Sequence, residues 1–241
     1  MGSTVTDSDA STASRPKFSA AIEDYVKSIY LLQQEHEQVT TSLLATQLGV
    51  APASVTGMLQ RLDRLHLVTY TPYRSVELTE LGRRTALEVL RHHRLLELYL
   101  TEALGYSWDE VHAEADVLEH AISEQLEARI AAQLGHPLAD PHGDPIPRPD
   151  LTLPPGPASS LVEAPLGRRL RVVRVTNQDP AHLRYLTSLG LVPGAEVQVT
   201  ERAPFDGPLT LAIGGVTRAV DSRMARAILV DPVEGPPGAP A

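Results

Sequence analysis

Eight prolines fall between His136 and Ala158. Each one fixes φ and removes a backbone donor, so no helix interior or central strand survives that density. The stretch reads as a linker, tethered at intervals, that divides the chain into two folded parts. Before it, apolar residues recur at helical spacing; after it, they alternate. A chain of 241 residues has room for one large domain or two to three small ones. The expected fold class is mainly α with a small β domain.

Residues 1–17 are Ser/Thr/Asp/Ala-rich without a period and are expected to be disordered. Ile22, Tyr25, Val26 and Ile29 mark one face of a first helix. Thr41–Leu48 and Pro52–Leu65 read as two short helices, and Leu67–Leu78 as a hairpin around Pro72-Tyr73-Arg74, giving a first unit over 18–78. Thr79 is expected to cap a long helix through about Ala103, ended by Gly105. Ser107 is expected to cap one continuous helix to about Leu134, stopped by Gly135 and Pro137. These helices form a second unit over 79–136, followed by the linker over 137–167. Glu196-Val-Gln-Val-Thr after Pro193-Gly194, and Leu209-Thr-Leu-Ala-Ile before Gly214-Gly215, predict a small β-barrel over 168–231. Residues 232–241 read as a flexible tail.

Residues 41–60 fit a helix-turn-helix. Ala45 is small enough for two helices to approach, Gly49 supplies the turn, and Val55 with Met58 or Leu59 packs the second helix back. Pro52 stands at the first turn of that helix, where a missing N–H costs nothing. The hairpin that follows would be a wing with Arg74 at its tip. The exposed face of the second helix would carry Ala51, Ala53, Ser54, Gly57, Gln60, Arg61 and Arg64. Small residues allow close approach to base edges, and arginines suit phosphates. The expected partner is double-stranded DNA.

A net charge of −9 would ordinarily argue against nucleic acid. The charge is uneven, however. Residues 15–94 carry ten basic against eight acidic groups, whereas residues 95–160 carry two against twelve. Cysteine is absent, which excludes disulfides, thiolate catalysis and thiolate metal sites. Any metal must be held by His, carboxylate or carbonyl, which favours harder divalent ions. No apolar run is long enough for a transmembrane helix, and the N-terminus has no signal-like apolar stretch, so a cytoplasmic location without membrane contact is expected.

The long helix places His93 and Glu97 at i,i+4 within an apolar stripe of Ala86, Val89, Leu90, Leu96 and Leu100, where they cannot stay unpaired. The next helix gathers His112, Asp116, Glu119 and His120 in one sector beside Val111, Ala115, Leu118 and Ile122. Carboxylates and imidazoles packed this closely point to a divalent cation. His92 points about 100° away from that face and is expected in solvent. Asp24 lies opposite the apolar stripe of its own helix and by periodicity is a solvated acid. No nucleophile or base beyond these ligands is visible, so an enzyme is not expected. A winged-helix regulator of a small organic ligand is the competing reading.

Ile22-Glu-Asp-Tyr-Val-Lys-Ser-Ile-Tyr, the winged helix, Arg91-His-His-Arg-Leu-Leu-Glu and Val111-His-Ala-Glu-Ala-Asp-Val-Leu-Glu-His together resemble the diphtheria toxin repressor and manganese transport regulator family. The resemblance runs from about residue 18 to 230. It implies a homodimeric, metal-activated repressor of metal-uptake genes with a C-terminal SH3-like, FeoA-like domain and no organic cofactor. It implies a primary metal site of Asp24, His93, Glu97, Asp116, Glu119 and His120, and a secondary site drawn from Glu97, His112, Asp140, His142, Gln178 and Asp179. Iron-type members carry Met and Cys where Asp24 and Asp116 stand, so the resemblance favours Mn²⁺, with Fe²⁺ as the alternative. Lys27 replaces a ligand of the short manganese members. The dimer interface is expected on the fifth helix, away from its ligand face.

Overall fold

The computed structural model describes residues 18–71, 74–156 and 159–233. The expected disordered terminus, Pro72 and Tyr73 of the wing, and the tail from residue 234 lie outside the described residues.

The first unit contains α1 (Ala20–Glu35), α2 (Thr41–Leu48), α3 (Pro52–Arg64), β1 (Val68–Thr69) and β2 (Glu77–Leu78). Thr40 caps α2 by accepting from the Leu43 N–H, and Gly49 ends it with φ of 64°, a left-handed conformation that favours glycine. The chain then turns so that α2 and α3 are bent by 109°. Val55, Leu59 and Leu62 are fully buried against Leu44 and Ala45, each contributing roughly 1.5–3 kcal/mol of apolar burial for the larger side chains. The hairpin pairs Val68 with Leu78, and the Tyr70 N–H donates to Asp63 Oδ1, which ties the wing to α3.

The 25-residue α4 (Glu80–Leu104), capped by Thr79 and closed by Gly105, spans two cores. Its Ala86, Leu87 and Leu90 pack with α1 and the winged helix. Its Leu95 and Leu96 pack with Ala115, Ile130 and Ile146. The single helix expected from Ser107 to Leu134 is two, α5 (Val111–Leu118) and α6 (Glu124–Gln133). Ser123 accepts from the Leu126 N–H as a fresh N-cap, and the intervening Glu119 and His120 turn toward partners on α1 and α4. Ser107 does not cap α5: its hydroxyl donates to Glu110. Exposed apolar side chains remain on this unit, notably Val117 and Leu126.

The proline-rich stretch is held to α4 by buried arginines. Arg91 donates to the Pro147 carbonyl at 2.6 Å and Arg94 to the Pro145 carbonyl at 2.7 Å. Ile146 and Leu151 are buried, Leu151 within the winged-helix core.

The β unit begins earlier than expected. β3 (Ser159–Ser160) pairs with the last strand, and Leu161 and Ala164 enter the core. The other elements are β4 (Arg169–Val175), α7 (Pro180–Leu189), β5 (Glu196–Arg202), β6 (Leu209–Ile213), β7 (Val216–Val220), α8 (Ser222–Arg226) and β8 (Ile228–Pro232). The antiparallel sheet runs β3-β8-β4-β5-β6-β7. Pro232 still belongs to β8, and the Val233 N–H donates to the Arg169 carbonyl, so the expected tail from 232 starts too soon.

The linker docks on this sheet where β4 bulges at Val172/Arg174. The Val175 N–H donates to the His142 carbonyl at 2.8 Å. Gly143 follows with φ of +87°, and a Cβ there would stand 1.9 Å from the Val173 carbonyl oxygen. Gly143→Ala should therefore cost roughly 1–3 kcal/mol, read as a fall of about 2–4 °C in melting temperature per kcal/mol. Melting at the wild-type temperature would contradict this packing.

Candidate metal centre

Three helices bring titratable side chains to one region. α4 supplies His93 and Glu97, both buried. α5 supplies His112 and Asp116, with Glu119 as its buried C-cap residue and His120 in the turn beyond. α1 supplies Asp24, one turn before Lys27. His93 Nδ1 lies 2.5 Å from Glu119 Oε2, and its Nε2 lies 2.9 Å from Glu97 Oε1 and 3.0 Å from His112 Nδ1. His120 Nε2 faces Asp24 Oδ1 at 2.9 Å. The Asp24 side chain stays 45% exposed, as periodicity predicts, while one of its oxygens makes this tertiary contact.

The six residues expected in one primary shell are spread over neighbouring donor sets. These are Asp24/Glu119/His120, His93/Asp116/Glu119 and His93/Glu97/His112. Glu97 stands one helical turn beyond His93 and also faces the linker, where it forms a fourth set with Asp140 and His142. All three members of that set are buried. The Asp140 carboxylate accepts from the His142 and Asp144 N–H groups through Oδ1, and its Oδ2 is buried without a hydrogen-bond partner. His142 Nε2 donates to the Trp108 carbonyl at 2.7 Å. The opposite nitrogen, Nδ1, then turns toward Glu97 Oε2 at 3.5 Å and Asp140 Oδ1 at 3.8 Å without a hydrogen bond. An imidazole nitrogen and two carboxylates converge as a cation requires, with Arg94 Nε 3.9 Å from Asp140 Oδ2.

The donors expected from the β unit each make a contact of their own. Gln178 donates to Asp144 Oδ2 at 2.6 Å. Asp179 accepts from the His182 N–H as the N-cap of α7, a demand set by Pro180 at the next position. His92, expected in solvent, is buried, with Nδ1 3.2 Å from the Glu119 carbonyl and Nε2 3.1 Å from Glu127 Oε2. Mid-length α4 has no solvent face, because α1, α5, α6 and the linker surround it. Sequence reasoning also missed Glu23, whose Oε2 lies 2.7 Å from His120 Nδ1. Lys27 is no ligand; its ammonium donates to Asp116 Oδ1 at 3.0 Å and Glu119 Oε1 at 2.5 Å.

Burial pulls the His93 imidazole down, but its hydrogen bonds to Glu119 and Glu97 outweigh this and raise it to about 9. Burial, reinforced by Glu97 and Asp144, pushes the Asp140 carboxyl up to about 8. Burial also opposes ionisation of Glu97, yet His112, His142 and His93 hold it well below the usual carboxylate range.

On α3, Ala51, Ala53, Ser54, Gly57, Gln60, Arg61 and Arg64 are exposed, as is Arg74 of the wing. Val55 and Leu59 face inward and Met58 is half-buried. The Arg64 Nε–H donates to the Gln60 carbonyl of its own helix.

Three family models match the chain: an iron-dependent repressor N-terminal DNA-binding domain over 17–76, an iron-dependent repressor metal-binding and dimerisation domain over 79–148, and a FeoA domain over 159–232. The chain is 34% identical over 223 residues to the iron-dependent repressor IdeR of Mycobacterium tuberculosis, covering 88% of this chain and 96% of that one. The chain belongs to the diphtheria toxin repressor and manganese transport regulator family. It is 35% identical over 103 residues to the transcriptional regulator MntR of Geobacillus kaustophilus, covering 43% of this chain and 72% of that one. A solved manganese-dependent transcriptional repressor in complex with manganese superposes with a TM-score of 0.80 at 41% identity, covering 88% of this chain and 100% of that one.

As a family member the chain is a metal-dependent, DNA-binding transcriptional repressor and not an enzyme. Its C-terminal unit is the SH3-like FeoA domain. Among the described residues, no single helix is long and apolar enough to cross a membrane. The buried oxygen and nitrogen donors fit a hard divalent ion.

The proton affinities give a signed expectation. His93 is raised above its ordinary value, so its contribution to metal-free stability is full below about 6.5 and is lost as pH rises through about 9. Asp140, raised to about 8, loses its contribution between about 4 and 8. The metal-free protein should therefore melt progressively lower from pH 6.5 to 9. The Mn²⁺-induced rise in melting temperature should grow over the same window, because bound protons compete with the metal. Scanning calorimetry at stepped pH tests both; a flat metal-free profile would contradict the assignment.

Proposed function

We propose that this chain is a Mn²⁺-responsive repressor that binds operator DNA as a homodimer and represses metal-uptake genes. The observation that carries the reading is the contact of Asp24 on α1 with His120 beyond α5, at 2.9 Å. Through it one donor set spans the DNA-binding unit and the helical unit. Asp24, Asp116, Glu119, His120 and His93 would hold one divalent ion; Glu97, His112, Asp140 and His142 would hold a second. The ion supplies positive charge, which neutralises carboxylates that would otherwise repel one another and the DNA. The residues do the rest: Asp24 ties α1 to the turn after α5, and the DNA-binding heads are held at one separation before DNA arrives.

Asp at positions 24, 116 and 140, with no cysteine in the chain, supports Mn²⁺ by ligand hardness. The structural similarity to a manganese-dependent repressor supports it too. The 34% identity to an iron-dependent repressor favours Fe²⁺ as the second reading. Exposed Leu126 on α6 supports a dimer interface on the helical unit.

DNA affinity measured against a duplex selected from a randomised pool, titrated with Mn²⁺ and Fe²⁺ in parallel, tests the metal. A chain that binds DNA equally well after chelation would favour the organic-ligand alternative. Asp24→Ala should keep measurable Mn²⁺ binding by calorimetry yet lose the metal-dependent gain in DNA affinity, about 5–150-fold for a coupling of ordinary size. Full Mn²⁺-dependent DNA binding in that variant would refute the link through α1.

Ala51, Ala53, Ser54, Gly57 and Gln60 would approach base edges, and Arg61, Arg64 and Arg74 the phosphates. Arg61→Ala and Arg74→Ala should each weaken binding to all sequences alike and reduce the salt slope by about one. A loss confined to one base position would count against phosphate contact.

A further inference from the structure

Trp108 is the chain's one tryptophan. It lies in the turn before α5 and touches both the buried pocket of Glu97, Asp140 and His142 and the β unit. Its ring stacks on His142 with centroids 5.8 Å apart and planes at 26°. Its carbonyl accepts from His142 Nε2 at 2.7 Å, which leaves Nδ1 as the nitrogen facing the two carboxylates. On its other side the indole N–H donates to Thr187 Oγ1 of α7 at 2.9 Å, and the ring packs against the core of the β unit. The neighbouring Asp109 pairs with Arg184 of α7 at 3.1 Å. The Gln178 amide N–H donates to Asp144 Oδ2 beside the pocket, and Asp179 caps α7.

We propose that Trp108 couples cation occupancy of the Glu97–Asp140–His142 pocket to the docking of the β unit through α7. Trp108 is a positioning residue: it backs His142 from behind and fixes its ring. A divalent ion drawn to Nδ1 and the two carboxylates would immobilise His142, and with it the indole and the Thr187 contact. The β unit would then report on the pocket through Trp108. This rests on the metal-centre reading above.

The test is hydrogen exchange of α7, residues 180–189, in the full chain with and without Mn²⁺, beside calorimetry of Mn²⁺ binding. In the wild-type chain, saturation should slow α7 exchange by about fivefold or more and shift the Trp108 emission. Trp108→Ala should lose the slowing while still binding Mn²⁺. Thr187→Val, which keeps the indole and the side-chain shape, should reduce the slowing and leave Mn²⁺ affinity unchanged. His142→Ala should abolish both the slowing and the emission shift while Mn²⁺ still binds at the Asp24 set. If wild-type α7 does not respond although Mn²⁺ binds, or if it responds equally in Trp108→Ala, Thr187→Val or His142→Ala, this proposal is overturned and the metal-centre reading stands. If no Mn²⁺ binds the wild-type chain, the metal-centre reading falls and the proposal with it.

Discussion

Glu97 is 1% exposed, and a carboxylate cannot be withdrawn from water to that degree without compensating charge. The surrounding structure is organised around this demand. His93, His112 and His142 each approach it, and each belongs to a different segment. The first comes from the same helix one turn earlier, the second from α5, and the third from the linker. Three separate pieces of chain are thus held together by one buried acid. His93 passes the connection on to Glu119, and Glu119 to Lys27 of α1. Removing either side of such a chain leaves an unpaired charge inside, which is costlier than never having buried it.

A network of this kind tolerates two states. In the metal-free chain, protons on His93 and Lys27 balance the carboxylates. A divalent ion held as proposed above would replace protons at His93 and Asp140 and supply the positive charge in their place. The contacts of Glu119 with Lys27 and His93, and of His120 with Asp24, draw α1, α4 and the end of α5 together.

The winged helix was fully legible, because its signals are local. Gly49 marks a left-handed turn, Pro52 a helix start, and Val55 and Leu59 the inner face. The His/carboxylate cluster was legible as a composition on two helix faces. Its partition was not, because which donor meets which depends on how α1, α4 and the linker cross. Periodicity placed His92 in solvent by assuming that each helix keeps one wet face; at the middle of α4 no such face exists. The break between α5 and α6 was missed for a related reason. Glu119-His-Ala-Ile-Ser continues a helical pattern, and only the tertiary pull of α1 and α4 on Glu119 and His120, with Ser123 available as a cap, makes the interruption favourable. Asp179 caps α7, and a helix start at Pro180 asks for the same residue type as a metal ligand does.

The proline-rich segment shows how a stretch with no secondary structure acquires one conformation. Proline lowers the entropy lost on ordering, and it leaves carbonyls without the ladder partners a strand would give. Arg91 and Arg94 donate to two of those carbonyls from the middle of α4. Asp140 organises the turn that precedes them through two backbone N–H groups. The arginines also offset the acidity of residues 95–160, where they lie closest to Asp140 and Glu127. The linker is therefore a structural wall of the buried pocket. Its one glycine at the point of closest approach, Gly143, lets that wall lie flat on β4, which is how a segment unable to join a sheet still fixes where the sheet sits relative to the metal centre.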